Sequence, residues 1–504
     1  MGRLYQLFGV IAVYCVFNYV YTECKGLRYR NALRLVLLTT MIFVFIGYKD
    51  MSMPMLTYLL IGLIGLPAVA YGVIYDPEVL LIVAATYIPF NLLLPADFGG
   101  IQQALNGTNI VLIALILGWI FGKNKYSPAS MGRNPAMYFV IMFVLFSIVA
   151  YVRGGIFHGE AYFLGMIFPL KRWLTPMILF AIFFRLANNR GIIKIIFSVL
   201  MLIIISNIFF GLLEWVEIGF ATYSERKHRL GGFNMHPNFY GSFISYYVCV
   251  LIGPFLTGIR KTTGKFLIIP VLLGFRMILP TNSRGAWIGL PPALLTTAFF
   301  YKKRFFLLAI CIFLLPTAFP VLMPDTVRMR FYEAVRPSEN KVIYEESTIT
   351  QDLSSTKSVS VNTRYRLILA GYKLIKENLW FGVGWGVFPY VIGNYDPSLH
   401  RASAHNMFLQ MISEMGLSTV IILLVMLFLF FKAGIYVVRH EKDTMLKGVS
   451  LGYIASIPAI IACNLTGNRL DAVDLIAIFW MLSACVLRLR QIIKAERLQE
   501  QYRV

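Results

Sequence analysis

Runs of apolar residues long enough to cross the hydrocarbon core of a bilayer recur from one end of this chain to the other, and no other feature limits its fold so tightly. In lipid every backbone polar group has to be satisfied within the protein, and runs of this length achieve that as helices. Spans are expected near residues 5–22, 35–47, 54–73, 78–94, 108–122, 135–152, 164–184, 192–218, 237–256, 266–283, 285–300, 305–323, 406–431, 449–465 and 473–487. The expected fold class is all-α: a polytopic transmembrane helical bundle of about 12–15 spans with one large extracytoplasmic loop containing amphipathic helices. A hydrophobic share of 58% with only 14% charged residues excludes a set of soluble domains.

The formal net charge of +22, from 46 basic and 24 acidic residues, does not imply nucleic acid. Most of the basic residues fall in short loops between spans: Lys25-Arg28-Arg30-Arg34, Lys123-Lys125-Arg133, Arg185-Arg190-Lys194, Arg260-Lys261-Lys265, Lys302-Lys303-Arg304, Lys432-Arg439-Lys442-Lys447 and the tail from Arg488 to Arg503. If the spans alternate, all of these share one side, which the positive-inside rule makes cytoplasmic. Parity then puts the segment 220–237 and the long loop 324–404 on the opposite side, together with His158, His228, His236, His400 and His405. Whether residues 5–22 cross the membrane or lie along it is left open by this pattern. The six cysteines are scattered singly, with no metal-ligand spacing.

His405 stands where that long polar loop meets an apolar helix, at a water–membrane boundary. On the first turn of a helix the positive end of the macrodipole disfavours an imidazolium, so this ring is expected to be neutral near pH 7 and able to accept a proton. Within the loop, residues 338–362 are rich in Ser, Thr and Glu. From Thr363 the pattern turns amphipathic, with Leu367, Ile368, Gly371, Leu374 and Ile375 on one face and Arg364, Lys373, Lys376 and Glu377 off it, which points to a helix lying on the membrane surface. The turn Gly382-Val383-Gly384-Trp385-Gly386 ends it.

Four polar constellations share the extracytoplasmic side: Arg229 to Asn238, Thr281-Asn282-Ser283-Arg284-Gly285, Arg364 with Arg366, and His405 with Asn406. Arginines drawn from separate segments onto one face are what a diphosphate needs, because guanidinium forks bind phosphate oxygens bidentately. A lone arginine at a span end is more often an interfacial residue, and Arg366, Arg328, Arg330 and Arg336 are read that way. Arg276 falls inside a span, the costliest placement, and calls for either a carboxylate in the bundle or a place in the site. Glu214, Glu217, Asp471 and Asp474, near span ends, are arginine partners or solvated ends. Glu414 is too far along its helix to touch His405.

These elements together resemble the O-antigen ligase and polymerase superfamily, membrane glycosyltransferases that use undecaprenyl-diphosphate-linked glycans. Its ligases carry His-Asn followed by Gly-x-x-Gly at the end of the large periplasmic loop. Here His405-Asn406 is followed, after Met407 to Met415, by Gly416, and Thr419 stands where the family has its second glycine. Ser283-Arg284-Gly285-Ala286 is similar to the family's serine-arginine-glycine element. Arg364 through Asn378 to Gly384 is similar to its loop helix and glycine turn, and Arg229, Gly232 and Pro237-Asn238 to its upstream arginine and proline-asparagine element. The resemblance covers roughly residues 190–490. It divides the chain into additional N-terminal spans (1–107), a transmembrane core (108–323), an extracytoplasmic loop (324–404), C-terminal spans (405–490) and a basic cytoplasmic tail (491–504).

The resemblance implies an inverting, metal-independent glycosyltransferase without a cofactor, in the bacterial inner membrane, with its active site on the periplasmic face. His405 would be the general base, with Arg284 and Arg364 completing the catalytic set. Arg229, Asn238, Asn406 and Arg276 would bind substrate. The donor would be a glycan on undecaprenyl diphosphate and the acceptor another glycan or a lipid A-core, with membrane lipid and polysaccharide assembly and export proteins as partners and no nucleic acid. The rival reading is a transporter or flippase for lipid-linked glycans. It calls for ionisable residues near the midplane of several helices, whereas polar chemistry here, Arg276 apart, gathers at one boundary.

Overall fold

A computed structural model describes residues 2–49, 65–89, 107–121, 134–219, 229–232, 235–258, 260–301 and 356–502, and among them there are helices and connecting turns but no strand. In chain order the helices are α1 (Gly2–Glu23), α2 (Ala32–Lys49), α3 (Leu66–Ile74), α4 (Pro77–Tyr87), α5 (Gly107–Phe121), α6 (Pro135–His158), α7 (Glu160–Leu186), α8 (Arg190–Glu217), α9 (Pro237–Gly258), α10 (Ile268–Ile278), α11 (Arg284–Tyr301), α12 (Thr356–Glu377), α13 (Met407–Met415), α14 (Leu417–His440), α15 (Thr444–Asn464) and α16 (Val473–Tyr502). Among the described residues nine helices are long and apolar enough to cross a membrane: α1, α6 to α9, the stretch Thr262–Thr281 that contains α10, and α14 to α16. Ala32–Ile42, α4 and α5 are shorter apolar helices. The chain is thus an all-α, multi-pass membrane protein. The expected span 305–323 and most of 54–73 lie outside the described residues, as does the loop up to residue 355.

One expected span is divided. Residues 406–431 do not form a single helix, because Gly416 takes a φ of +87° and separates α13 from α14. That conformation suits glycine, and a Cβ there would run into the carbonyl of Trp380.

α8 is the axis of the bundle. It is apolar on every side and buried along its whole membrane-crossing length, which a helix achieves only if neighbours surround it. The N-terminal helices α1, α2 and α4 cover one side, while α9, α15 and α16 lie on the other. α9, α11 and α15 form the tightest trio, and they meet through small residues. Gly253 packs on the backbone of Gly448, Gly452 on that of Cys249 and Val250, and Gly289 on Cys463. Without a hydrophobic drive between helices in lipid, such close backbone approach supplies the dispersion that holds them together. Buried hydroxyls are satisfied across helices: Tyr247 Oη donates to the Leu475 carbonyl at 2.6 Å, and Ser456 Oγ to that of Tyr246 at 2.6 Å.

The two ends of the bundle differ electrostatically. At one end Lys194 joins Asp443 at 2.5 Å and Glu23 at 3.4 Å, Lys261 reaches Glu23 at 2.6 Å, and Arg190 bridges Glu441 and Glu496. This network ties α1 to the core helices. At the other end lie His405 and the described part of the long loop. There α12 buries Leu367, Ala370 and Leu374 against Phe388, Ile392, Leu399 and Ala404. The buried face differs from the expected one, since Ile368 is exposed together with Tyr365, Leu369 and Tyr372.

The glycine turn after α12 is latched to α13 by Glu414. Val383 and Gly384 donate backbone N–H groups to the Ser413 and Glu414 carbonyls, and the Glu414 carboxylate takes the N–H groups of Gly386 at 2.9 Å and Phe388 at 3.2 Å. Gly382 and Gly384 adopt positive φ and leave no room for a side chain against Glu414 and Gly154. On the far side the turn is held by α6 and α7, through Trp385 N–H to the Ala150 carbonyl and Tyr162 Oη to the Trp385 carbonyl.

Two predictions follow from packing and burial. Gly452→Val drives a side chain into the α9 backbone and should destabilise the protein by about 1–3 kcal/mol, read as a lower melting temperature in detergent, whereas Gly165→Ala, which faces open space, should leave it unchanged. Burial pushes the Glu414 carboxyl up from 4.5 to about 7, outweighing the N–H donors of Gly386, Phe388 and Gln410 that favour the carboxylate. The folded protein then keeps a proton that the unfolded chain releases above 4.5, so stability falls as the pH rises from about 4.5 to about 7 and levels off beyond. Glu414→Gln should flatten that slope, and a variant melting curve with the same pH dependence would assign it to another group.

Candidate functional site

The site begins with the break between α10 and α11. Asn282 adopts a left-handed φ of +49°, which turns the chain, and Ser283 then caps α11: its carbonyl accepts from Trp287 N–H at 3.1 Å and its Oγ from Ala286 N–H at 3.4 Å. Arg284 follows as the first residue of the helix, half-buried at its end. Gly285 is needed for a separate reason, since a Cβ there would collide with Thr466 Oγ1 and the guanidinium of Arg469.

Arg469 lies in the turn between α15 and α16 and is only 2% exposed. Its backbone N–H donates to Asn464 Oδ1 at 3.0 Å and its Nη1 to the Cys463 carbonyl, while its Nε makes no hydrogen bond. Gly285 and Gly467 leave the space that the guanidinium fills. Asn468 beside it donates to Gln410 Oε1, and Gln410 donates to Glu414 Oε1 at 3.1 Å, so this turn and the glycine turn are both fastened to α13.

His405 stands one residue before the N-cap of α13 rather than within its first turn. Asn406 is the cap, its Oδ1 accepting from Phe408 N–H at 3.0 Å and Leu409 N–H at 3.1 Å. Its Oδ1 is thus engaged by the helix immediately after His405, which fits the first of two roles open to Asn406, orienting the histidine or the sugar. His405 has a φ of +49°, rare for a residue with a Cβ, and the residue is exposed. Although the residue is exposed, partial desolvation, then Arg364, then Arg469 hold its pKa below the ordinary 6.5. The expected neutral ring is thus supported by desolvation and neighbouring guanidinium groups. Arg364 continues the buried face of Leu367 and Gly371, the face that packs on Leu409 of α13, and it feels both Arg284 and Arg469, which with burial lower its pKa.

Arg229 is held by Asn238 Oδ1 at 2.7 Å and by the carbonyls of Thr281 at 3.0 Å and Asn282 at 3.4 Å, so Arg229 and Asn238 bind each other and brace the approach to α9 against the approach to α11. Glu214 is neither an arginine partner nor a solvated end, since its carboxylate takes the N–H groups of Gly231 and Gly232. Arg366 forms a bidentate pair with Asp396 at 2.6 and 2.8 Å, apart from the site. Arg276 does not join the cluster either, for its guanidinium lies 4.2 Å from the ring centre of Trp215.

The fold brings Arg284, Arg364 and Arg469 within electrostatic reach of one another, with His405 and His236 beside them, while Arg276 lies against Trp215. Among the described residues no carboxylate pairs with Arg284, Arg364 or Arg469. The signal for Arg469 was present: Thr466-Gly467-Asn468-Arg469, a polar break between two apolar spans, has the same ingredients as Asn282-Ser283-Arg284-Gly285.

Comparison with known families adds one finding. Residues 269–442 match the family model described as O-antigen ligase, a region that runs from α10 through α11, α12 and α13 to the end of α14. No curated protein matches the chain. The matched region contains the motif elements from Ser283 to Gly416, whereas Arg229 and Pro237-Asn238 precede it, and the chain carries within residues 269–442 an O-antigen ligase domain of the O-antigen ligase and polymerase superfamily, a domain of surface polysaccharide assembly.

Proposed function

We propose that this protein is a glycosyltransferase that moves a glycan from a polyprenyl diphosphate, of the undecaprenyl type, to an acceptor sugar hydroxyl at the outer face of the cytoplasmic membrane. One observation carries the reading. Three guanidinium groups from separate segments, Arg284, Arg364 and Arg469, meet at one end of the bundle without carboxylate partners among the described residues, beside an exposed histidine whose pKa is held down. A buried, unpaired cation is costly, and a site with several is built for an anion.

In the proposed reaction the donor's diphosphate lies against the arginines and its anomeric carbon faces His405. The acceptor hydroxyl attacks that carbon from the side opposite the diphosphate and inverts it. His405 takes the hydroxyl proton as the new glycosidic bond forms. The old bond breaks toward the diphosphate oxygen, whose added charge the guanidinium groups stabilise. Asn406 positions the base through the helix cap, and Arg229 with Asn238 hold Arg284 in register. The orientation is supported by the ion-paired, lysine- and arginine-rich end opposite His405, which the positive-inside rule assigns to the cytoplasm.

In cells lacking the gene, His405→Ala and Arg364→Ala variants that insert normally should fail to restore surface glycan while lipid-linked precursor accumulates on the outer side. In vitro, His405→Ala should lower turnover by about a hundredfold or more. Precursor trapped on the cytoplasmic side would instead indicate a flippase, and full activity in both variants would remove the site. The acid limb of the pH–rate profile should fall below 6.5, the ordinary histidine value, because partial desolvation, Arg364 and Arg469 disfavour the imidazolium.

A further inference from the structure

His236 is unused by the reaction as proposed, yet it lies at the same end of the bundle and within electrostatic reach of the same buried guanidinium as His405. Its role is legible in the way α9 begins. The first turn of any helix leaves N–H groups without intrahelical acceptors. Pro237, at the first position, has none to offer. The His236 carbonyl accepts from Phe239 N–H at 2.7 Å and Tyr240 N–H at 3.1 Å, and its ring Nδ1 accepts from Asn238 N–H at 3.2 Å. The imidazole thus serves as the N-cap side chain of α9.

That arrangement dictates a tautomer. A ring nitrogen that accepts an N–H cannot carry a proton, so in the neutral ring the proton sits on Nε2. An imidazolium would set N–H against N–H at the positive end of a helix. Partial desolvation, Arg229 and Arg469 all oppose it as well. His236 is exposed, and Arg229 fixes the segment around it by gripping Asn238 and the carbonyls of Thr281 and Asn282, immediately before Arg284. His405 presents the opposite case, for its ring makes no hydrogen bond among the described residues and has a lone pair to offer.

We infer that the two imidazoles divide the work, and that His236 keeps its proton and donates Nε2–H to a phosphate oxygen of the polyprenyl diphosphate, alongside Arg469. This rests on the donor class proposed above and adds to it a neutral hydrogen-bond donor that selects for the diphosphate. The helix cap makes His236 a donor in advance of binding, so no proton has to move when the substrate arrives.

Substitution separates the two ring nitrogens. Asparagine places an acceptor where Nδ1 stands and is itself a favoured N-cap, but it does not reach the position of Nε2. Glutamine places an N–H near Nε2 and forfeits the cap. The probe is undecaprenyl diphosphate binding to the purified full-length protein in detergent, with melting temperature read in parallel. His236→Asn should melt like the wild type and bind about tenfold or more weakly. His236→Gln should melt lower and bind within a few-fold of wild type. Wild-type binding by His236→Asn, or equal loss in both variants, would overturn the inference. If Arg364→Ala weakens binding and His236→Asn does not, this inference falls while the proposed reaction stands; if the wild type does not bind the probe, both fall.

Discussion

The guanidinium of Arg469, a residue 2% exposed and without a carboxylate partner among the described residues, is the constraint from which the rest of the site takes its shape. A full charge removed from water costs several kcal/mol unless something replaces its hydration. Here one backbone group does so in part, the Cys463 carbonyl accepting from Nη1, while the Asn464 side chain fixes the main chain by accepting the Arg469 backbone N–H, and Nε is left without a hydrogen bond. Holding that charge still requires space and anchorage. Gly285 and Gly467 give the space, and Gly285 follows the arginine that opens α11, so the same three-residue element that presents Arg284 also makes room for Arg469. Anchorage comes from Asn468, whose amide reaches Gln410 and through it Glu414.

A bundle that collects, at one end, cations without carboxylate partners among the described residues has to be rigid elsewhere. The opposite end provides part of this through its ion pairs, in which Lys194 and Arg190 at the start of α8 are each shared by two carboxylates. Glu23 and Asp443 bring α1 and the start of α15 into that network. The middle provides the rest, through the glycine contacts of α9 and α15. The N-terminal helices, which the family resemblance leaves out, have a physical reason in this chain: α8 is apolar on all sides, and α1, α2 and α4 cover the side that the core helices do not.

Much of this was legible in the amino-acid order. Apolar runs mark the spans, and His405, Arg284 and Arg364 stand out because polar residues interrupt apolar ones at matching boundaries. What periodicity could not reveal is which way a helix turns its faces. Arg364 was expected off the apolar face of α12, yet the helix packs with Leu367, Ala370 and Leu374 inward, which carries Arg364 toward α13. Arg276 was misleading for the opposite reason, because an arginine within an apolar run reads as an anomaly until an aromatic ring such as Trp215 is found beneath it. Arg469 went unread because a short polar break near the end of the chain carries no local sign of what it will meet, and its partner Gly285 is far away in sequence.

The His-Asn to glycine spacing also has a mechanical explanation here. His405 holds a left-handed backbone at an exposed position, and such strain persists where the surroundings fix it, as the Asn406 cap does for the next residue. α13 must then be long enough to bring Glu414 opposite the glycine turn and must end before the membrane-crossing helix begins, which sets the place of Gly416. Gly416 cannot be replaced without displacing the Trp380 carbonyl, whereas the position three residues later is an ordinary helical one. Thr419 satisfies its hydroxyl there by bonding to the Met415 carbonyl at 3.0 Å. The first glycine is therefore demanded by backbone geometry, and the second, which this chain lacks, is not demanded by anything in its immediate surroundings.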